Sequence, residues 1–246
     1  MPEDELPPGR LLQPATLRVW AAVMGPCVAY AVLRYHIAGG VEWRHFPLFI
    51  FNKTVAMSAV LFVGLSYLIG PVIKRFDEDK RLRLVVIKFC GLMGFFLAVI
   101  HAFFSVILLT PAYFAKYFDA QLQLNLQGEL GMCLGVLGLF MLLAPALATL
   151  PMMPRELGGK RWKRAQRMGY ISLLFVIGHL VVLGIFGWLA PSHWPWYIPP
   201  ISLVTVLAAI IPVFVKRQRM TEHDAKKKAA ESEDRPPPPG SLPWSQ

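Results

Sequence analysis

Charge is scarce in this chain. Of its 246 residues only 16% are Asp, Glu, Lys or Arg, while 55% are hydrophobic. A soluble domain of this length carries roughly a quarter charged residues, so the shortage excludes that class. Cysteine is scarce too. Cys27, Cys90 and Cys133 are odd in number and share no metal-ligand spacing, so they predict no disulfide framework and read as small buried hydrophobes. There is no glycine-rich phosphate loop and no room for a nucleotide-binding domain, so any flavin or nicotinamide dehydrogenase acting with this chain is another protein. No internal repeat is evident. The opening MPEDELPPGR is acidic, with no basic region ahead of an apolar core. It predicts no signal peptide, and a first helix that stays in the mature protein.

Long apolar runs are what the chain has in abundance. Six reach the length a helix needs to cross hydrocarbon, about 20 residues: 17–35, 54–73, 84–109, 128–150, 170–190 and 196–215. They predict an all-α membrane protein, a six-helix transmembrane bundle over 17–215. A polar tail (1–16) precedes it and a charged, proline-rich tail (216–246), expected to be disordered, follows. PPPPG within the second tail is read as plain solvated chain before it is read as a polyproline ligand. Pro26, Pro71 and Pro145 are read as kinks or helix ends.

The net charge of +10 raises the question of nucleic acid, and its distribution answers it. KRFDEDKRLR holds five Lys and Arg, RELGGKRWKRAQR six and the tail after Val215 seven, whereas the alternate loops hold two, one and none. This is the positive-inside pattern, and it places both termini in the cytoplasm. The basic residues set topology and meet anionic lipid; no nucleic-acid partner is expected.

Two faces of mostly small residues stand out. Gly128, Gly131, Gly135 and Gly138 recur at intervals of three and four on the fourth span, and Gly94, Leu97, Ala98 and Ser105 share the face of His101 on the third, with Phe95, Phe96, Phe103 and Phe104 mostly turned away. Small residues let helices approach closely in lipid, and equally leave room for a flat macrocycle; on the fourth span close packing is the preferred reading.

Of six histidines, His36, His45, His193 and His223 lie at span ends, in loops or in the tail, and read as solvated polar residues. His101 and His179 lie inside spans, where an ionisable group is costly and is usually functional or paired. Taken singly, each fits a neutral imidazole bonded to a neighbouring helix. Taken together they match in depth. Lys88 to His101 and Gln166 to His179 are both thirteen residues, so each histidine stands roughly 20 Å beyond those polar positions. Two imidazoles at one depth on two helices can supply both axial nitrogens to one iron, which is what bis-histidine ligation of a b-type haem requires.

LGGKRWKRAQRMGY followed by GH, the segment NKTVAMSAVLFVGLSYLIGPV, and GLMGFFLAVIH resemble the ferric reductase-like transmembrane domain over about residues 50–190. Within that family the chain is most similar to the haem-binding membrane subunit of the bacterial periplasmic methionine sulfoxide reductase system. The resemblance implies a six-helix bundle with b-type haem between the third and fifth spans. Members often carry two stacked haems. Here the outer ligand pair matches His101 and His179, while the inner positions fall on Gln166 and near Lys88, neither a normal haem ligand. That implies a one-haem variant, and the chain also resembles the single-haem six-span metalloreductases.

The function so implied is a haem b electron-transfer subunit of the bacterial inner membrane, an oxidoreductase component passing electrons to an outer-face acceptor, either a periplasmic reductase or a metal chelate. The absent inner haem leaves a gap of about 20 Å for a flavin, or a membrane quinone arriving laterally, to bridge. Arg161, Lys163, Arg164 and Arg167 suit a flavin phosphate, although setting topology is their simpler role. The competing expectation is a non-redox scaffold, assembly factor or sensor that keeps the fold. A small transporter is disfavoured because the spans lack broken-helix halves.

Overall fold

The computed structural model describes residues 11–72, 80–150 and 152–233. The first ten residues, the centre of the basic loop at 73–79 and the proline-rich end lie outside the described residues. Six helical stretches are long and apolar enough to cross a membrane: Pro14–Ile37, Trp43–Ile69, Leu82–Leu108, Leu126–Ala148, Glu156–Trp188 and Pro195–Val215. Each matches one predicted run, and no strand occurs among the described residues. The chain is an all-helical, multi-pass membrane protein.

The helices are α1 (Pro14–Ala31), α2 (Phe51–Val72), α3 (Lys80–Leu108), a short α4 (Pro111–Phe114), α5 (Leu126–Ala148), α6 (Met153–Trp188) and α7 (Ile201–Glu233). Two π-helical turns, Val32–Ile37 and Phe46–Ile50, prolong α1 and lead into α2. Pro26 and Pro145 lie inside helices, and Pro71 is the penultimate residue of α2, a helix end as expected. Asn125 caps α5: its side-chain oxygen accepts from the Gly128 N–H at 3.0 Å, satisfying one of the donors a helix start leaves open.

Two boundaries differ from expectation. The basic run read as the loop between the fourth and fifth spans is helical, because Lys, Arg, Gln, Met and Ala are good helix formers. Gly158 alone breaks the regularity, with φ 66°, which glycine adopts without penalty. The indole N–H of Trp162 donates to the Ala148 carbonyl at 3.0 Å and ties this segment to the end of α5. At the other end, α7 runs on past the predicted span, through residues 216–233. That stretch holds Lys, Arg, Glu and Ala with no Pro or Gly before Pro236, so nothing local stops the helix.

Helix contacts close a ring. α2 packs on α3, α3 on α5, α5 on α6, α6 on α7 and α7 back on α2, with α1 against α2 outside it. The larger core cluster joins α1, the π-turn ahead of α2, α2, α3 and α7 through Cys27, Ile50, Val55, Phe62, Phe89, Cys90 and Ile201. The smaller one, Val63, Leu142 and Leu173 with Tyr67, Phe95, Ala98 and Val213 packed against it, draws on all five ring helices and fills the interior. Lipid competes for apolar side chains as well as protein does, so close approach of backbones holds such bundles together. A Cβ on Gly94 would stand 2.6 Å from Val63 Cγ2 and 2.9 Å from Val63 N, so α2 and α3 cross tightly there. Gly131, Gly135 and Gly138 of α5 serve α6 likewise, against Leu183, His179 and Val176, whereas Gly128 lies against Tyr117 and Leu124 ahead of α5. Phe96, Phe103, Phe140, Phe186 and Phe214 face outward. Cys133 is exposed rather than buried: it projects from the α5 face opposite the glycines and has no helix to cover it.

Candidate functional site

His101 on α3 and His179 on α6 come from helices that are not neighbours in the ring, yet their imidazoles lie within electrostatic reach of each other and of the Lys53 ammonium. The structure therefore brings the two together across the interior. Both lie deep in the bundle but are only half-buried.

Each imidazole is fixed through the same nitrogen. His179 Nδ1 donates to the Gly131 carbonyl at 2.7 Å. His101 Nδ1 donates to Asn52 Oδ1 at 2.8 Å, with Ser105 Oγ at 3.3 Å, and Asn52 Nδ2 donates to that hydroxyl at 3.1 Å. A carbonyl oxygen can only accept, so both Nδ1 atoms carry the proton, and neutrality leaves a lone pair on each Nε2. Among the described residues neither Nε2 has a hydrogen-bond partner. An imidazole tied by one N–H to an oxygen acceptor, with its other nitrogen bare, is arranged as metal-bound histidines are.

Asn52 was not legible as part of this site, since the predicted span began at residue 54 and left it in a loop. It is 3% exposed and orients His101 from α2. Asn52→Leu is expected to leave the Nδ1 proton unpaired and the ring free to turn. If His101 ligates a haem iron, loss of such an orienting partner weakens affinity about 10- to 100-fold, measurable by haem titration, with Asn52→Asp retaining more affinity than Leu.

His36 and His45 have ordinary partners. His36 Nδ1 meets the Val41 carbonyl at 2.6 Å and its ring lies on Trp43. His45 Nδ1 pairs with the Tyr113 hydroxyl at 3.1 Å, and Arg44 with Glu42. His193 is exposed in a short turn, and His223 falls on the helical extension of α7. His36, His45 and His193 do not join the pair.

Towards the basic end of the bundle the interior is closed. The Val63, Leu142, Leu173 cluster begins six residues from His179 on α6, about 9 Å along the helix. Gln166 donates its amide to the Pro145 carbonyl at 3.4 Å, and its own carbonyl accepts from Tyr67 Oη at 3.1 Å. The Tyr67 ring lies 4.2 Å from that of Tyr170. The Trp162, Gln166, Tyr170 element therefore pins α6 to α5 and α2.

The opposite, aromatic end is different. Lys53 Nζ lies 5.2 Å from the Phe49 ring centroid and 4.8 Å from that of Phe114. Lys116 donates to the Leu183 carbonyl at 3.1 Å, where Tyr117 Oη also donates at 2.8 Å. Burial pushes the Lys116 ammonium below the usual lysine range and the Tyr117 phenol above its own.

No family model matches the chain. Over 200 residues, 71% of the chain, it is 26% identical to metalloreductase STEAP2 of Mus musculus, covering 40% of that protein. Over 198 residues, 69% of the chain, it is 25% identical to metalloreductase STEAP3 of Rattus norvegicus, again covering 40%. The identity to human metalloreductase STEAP2 is likewise 25%, over 200 residues. The chain spans 40% of the length of these curated relatives.

Proposed function

We propose that this protein is a membrane-embedded electron-transfer subunit of the ferric reductase-like class, holding one b-type haem between His101 and His179. What supports the proposal is the pair of imidazoles, each tied through Nδ1, each with an Nε2 that has no hydrogen-bond partner among the described residues, and near enough for the charge of one to be felt at the other. The similarity to metalloreductases supports a redox role. When bound, the haem supplies one-electron chemistry at its iron. The chain's own work is to hold two neutral ligands rigid, keep water from the iron and set its potential through burial and hydrogen bonding. Electrons would pass to an acceptor at the aromatic end, which the positive-inside bias makes the outer face of a bacterial inner membrane, whether a periplasmic reductase or a metal chelate.

The closed interior at the basic end favours one haem over two. A flavin-dependent partner at the basic segment, or a quinone arriving from the bilayer, is left to deliver the electron. Purified full-length protein should show a Soret band, a sharp α-band on reduction and one haem per chain by pyridine haemochrome assay. A colourless preparation from haem-replete cells would favour a non-redox scaffold instead.

The interior packing gives a second expected outcome. Restoring both missing ligands with Lys88→His and Gln166→His should leave the stoichiometry at one, because Val63, Leu142 and Leu173 occupy the space between α2, α5 and α6. A second haem in that variant would show that the interior opens at little cost.

A further inference from the structure

Lys53 and Lys116 form a cationic pair that the histidine site does not account for. Lys53 enters from α2, one residue after the Asn52 that orients His101, and its charge is felt at both imidazoles. Lys116 comes from the turn after α4 and lies close enough to Lys53 for the two charges to repel. Among the described residues neither has an acidic partner. The faces of Phe49 and Phe114 supply Lys53 with quadrupole attraction, and the Leu183 carbonyl supplies Lys116 with one acceptor. These contacts offset part of the desolvation cost. They do nothing about the repulsion between the two ammonium groups, which low polarity strengthens.

Sequence position adds to the case. α2 shows one lysine, Lys53, in a helix otherwise free of charge from Phe51 to Val72. A residue needed only to anchor the helix at the interface would do so by pointing away from the bundle and reaching into water. This one lies against rings from two different elements, Phe49 and Phe114.

We propose that Lys53, assisted by Lys116, is the counter-charge for the carboxylate groups of the haem held by His101 and His179, so that the porphyrin's acidic edge points to the aromatic end. The inference rests on the haem reading above and goes beyond it: it assigns an orientation and a second pair of binding residues. Two carboxylates and two ammonium groups would leave the mouth of the site close to neutral. The ammonium groups also favour the reduced iron, since adding an electron beside a positive charge is easier than adding it beside none.

The test compares haem with its dimethyl ester, in which both carboxylates are neutral, by Soret titration of the full-length apoprotein in nanodiscs. Wild type should bind the free acid about 10-fold or more tightly than the diester, as expected for hydrogen bonds to a charged group. Lys53→Met should lose most of that preference and lower the midpoint potential, Lys53→Arg should keep both, and Lys116→Met should fall between. Equal wild-type affinity for acid and diester would overturn the assignment without needing any variant to fold. So would a Lys53→Met protein that keeps the wild-type preference and potential. Failure of wild type to bind either porphyrin would instead overturn the haem reading itself.

Discussion

His179→Ala and His101→Ala are each expected to abolish six-coordinate haem absorbance while leaving a folded six-span protein. The two variants should differ in how they fail. His179 is held by a backbone carbonyl, Gly131 O at 2.7 Å, and its removal deletes one buried polar contact between α5 and α6. His101 belongs to a three-member group with Asn52 and Ser105, so removing it leaves the oxygen of the buried Asn52 without its donor. An unpaired buried polar group costs about 1–3 kcal/mol. His101→Ala should therefore be the less stable of the two by thermal melting, and His101→Gln, which keeps a donor, should recover part of that loss without restoring the haem. Exogenous imidazole should rebuild a low-spin spectrum in either alanine variant if the other ligand still binds. A normal reduced α-band surviving in both alanine variants would remove these residues from the iron altogether.

The histidine pair was legible in the sequence because two ionisable groups stand at equal depth in otherwise apolar runs, and membranes tolerate few such groups. The residues that hold the two imidazoles were not. Asn52 and Lys53 precede the first unbroken apolar stretch of their span, and hydropathy places a charged residue outside the membrane by default. In the fold, Lys53 enters the bundle by laying its ammonium against Phe49 and Phe114, a contact between residues 61 positions apart (114 − 53) that no local pattern foreshadows. The Trp162, Gln166, Tyr170 spacing was visible as a motif, but its work of bonding Ala148 O, bonding Pro145 O and packing on Tyr67 depends on where α5 and α2 end. The helical tail to Glu233 went unread for the opposite reason. Its propensity is high throughout, but composition rich in charge and followed by prolines resembles that of disordered chain.

The second large effect is expected at a residue with no side chain. A Cβ on Gly135 would stand 2.9 Å from His179 Nδ1 and 3.1 Å from Cε1, closer than carbon approaches either atom in ordinary packing. The ring lies against the bare backbone of α5, and Nδ1 is the atom that bonds Gly131 O one turn away. Gly135→Leu must therefore part the two helices or rotate the imidazole, and either breaks the bond that keeps the proton on Nδ1. Overpacking a tight contact costs about 1–3 kcal/mol. The displaced ligand should weaken haem binding by more than that figure alone would suggest, because Nε2 swings off its axis. Gly187 is the control: nothing lies within 4 Å of its Cβ position, so Gly187→Ala should be neutral or slightly stabilising through helix propensity. If Gly135→Leu bound haem with wild-type affinity and spectrum while melting normally, the contact between α5 and the imidazole would carry no load, and the orientation argued for His179 would have to be given up.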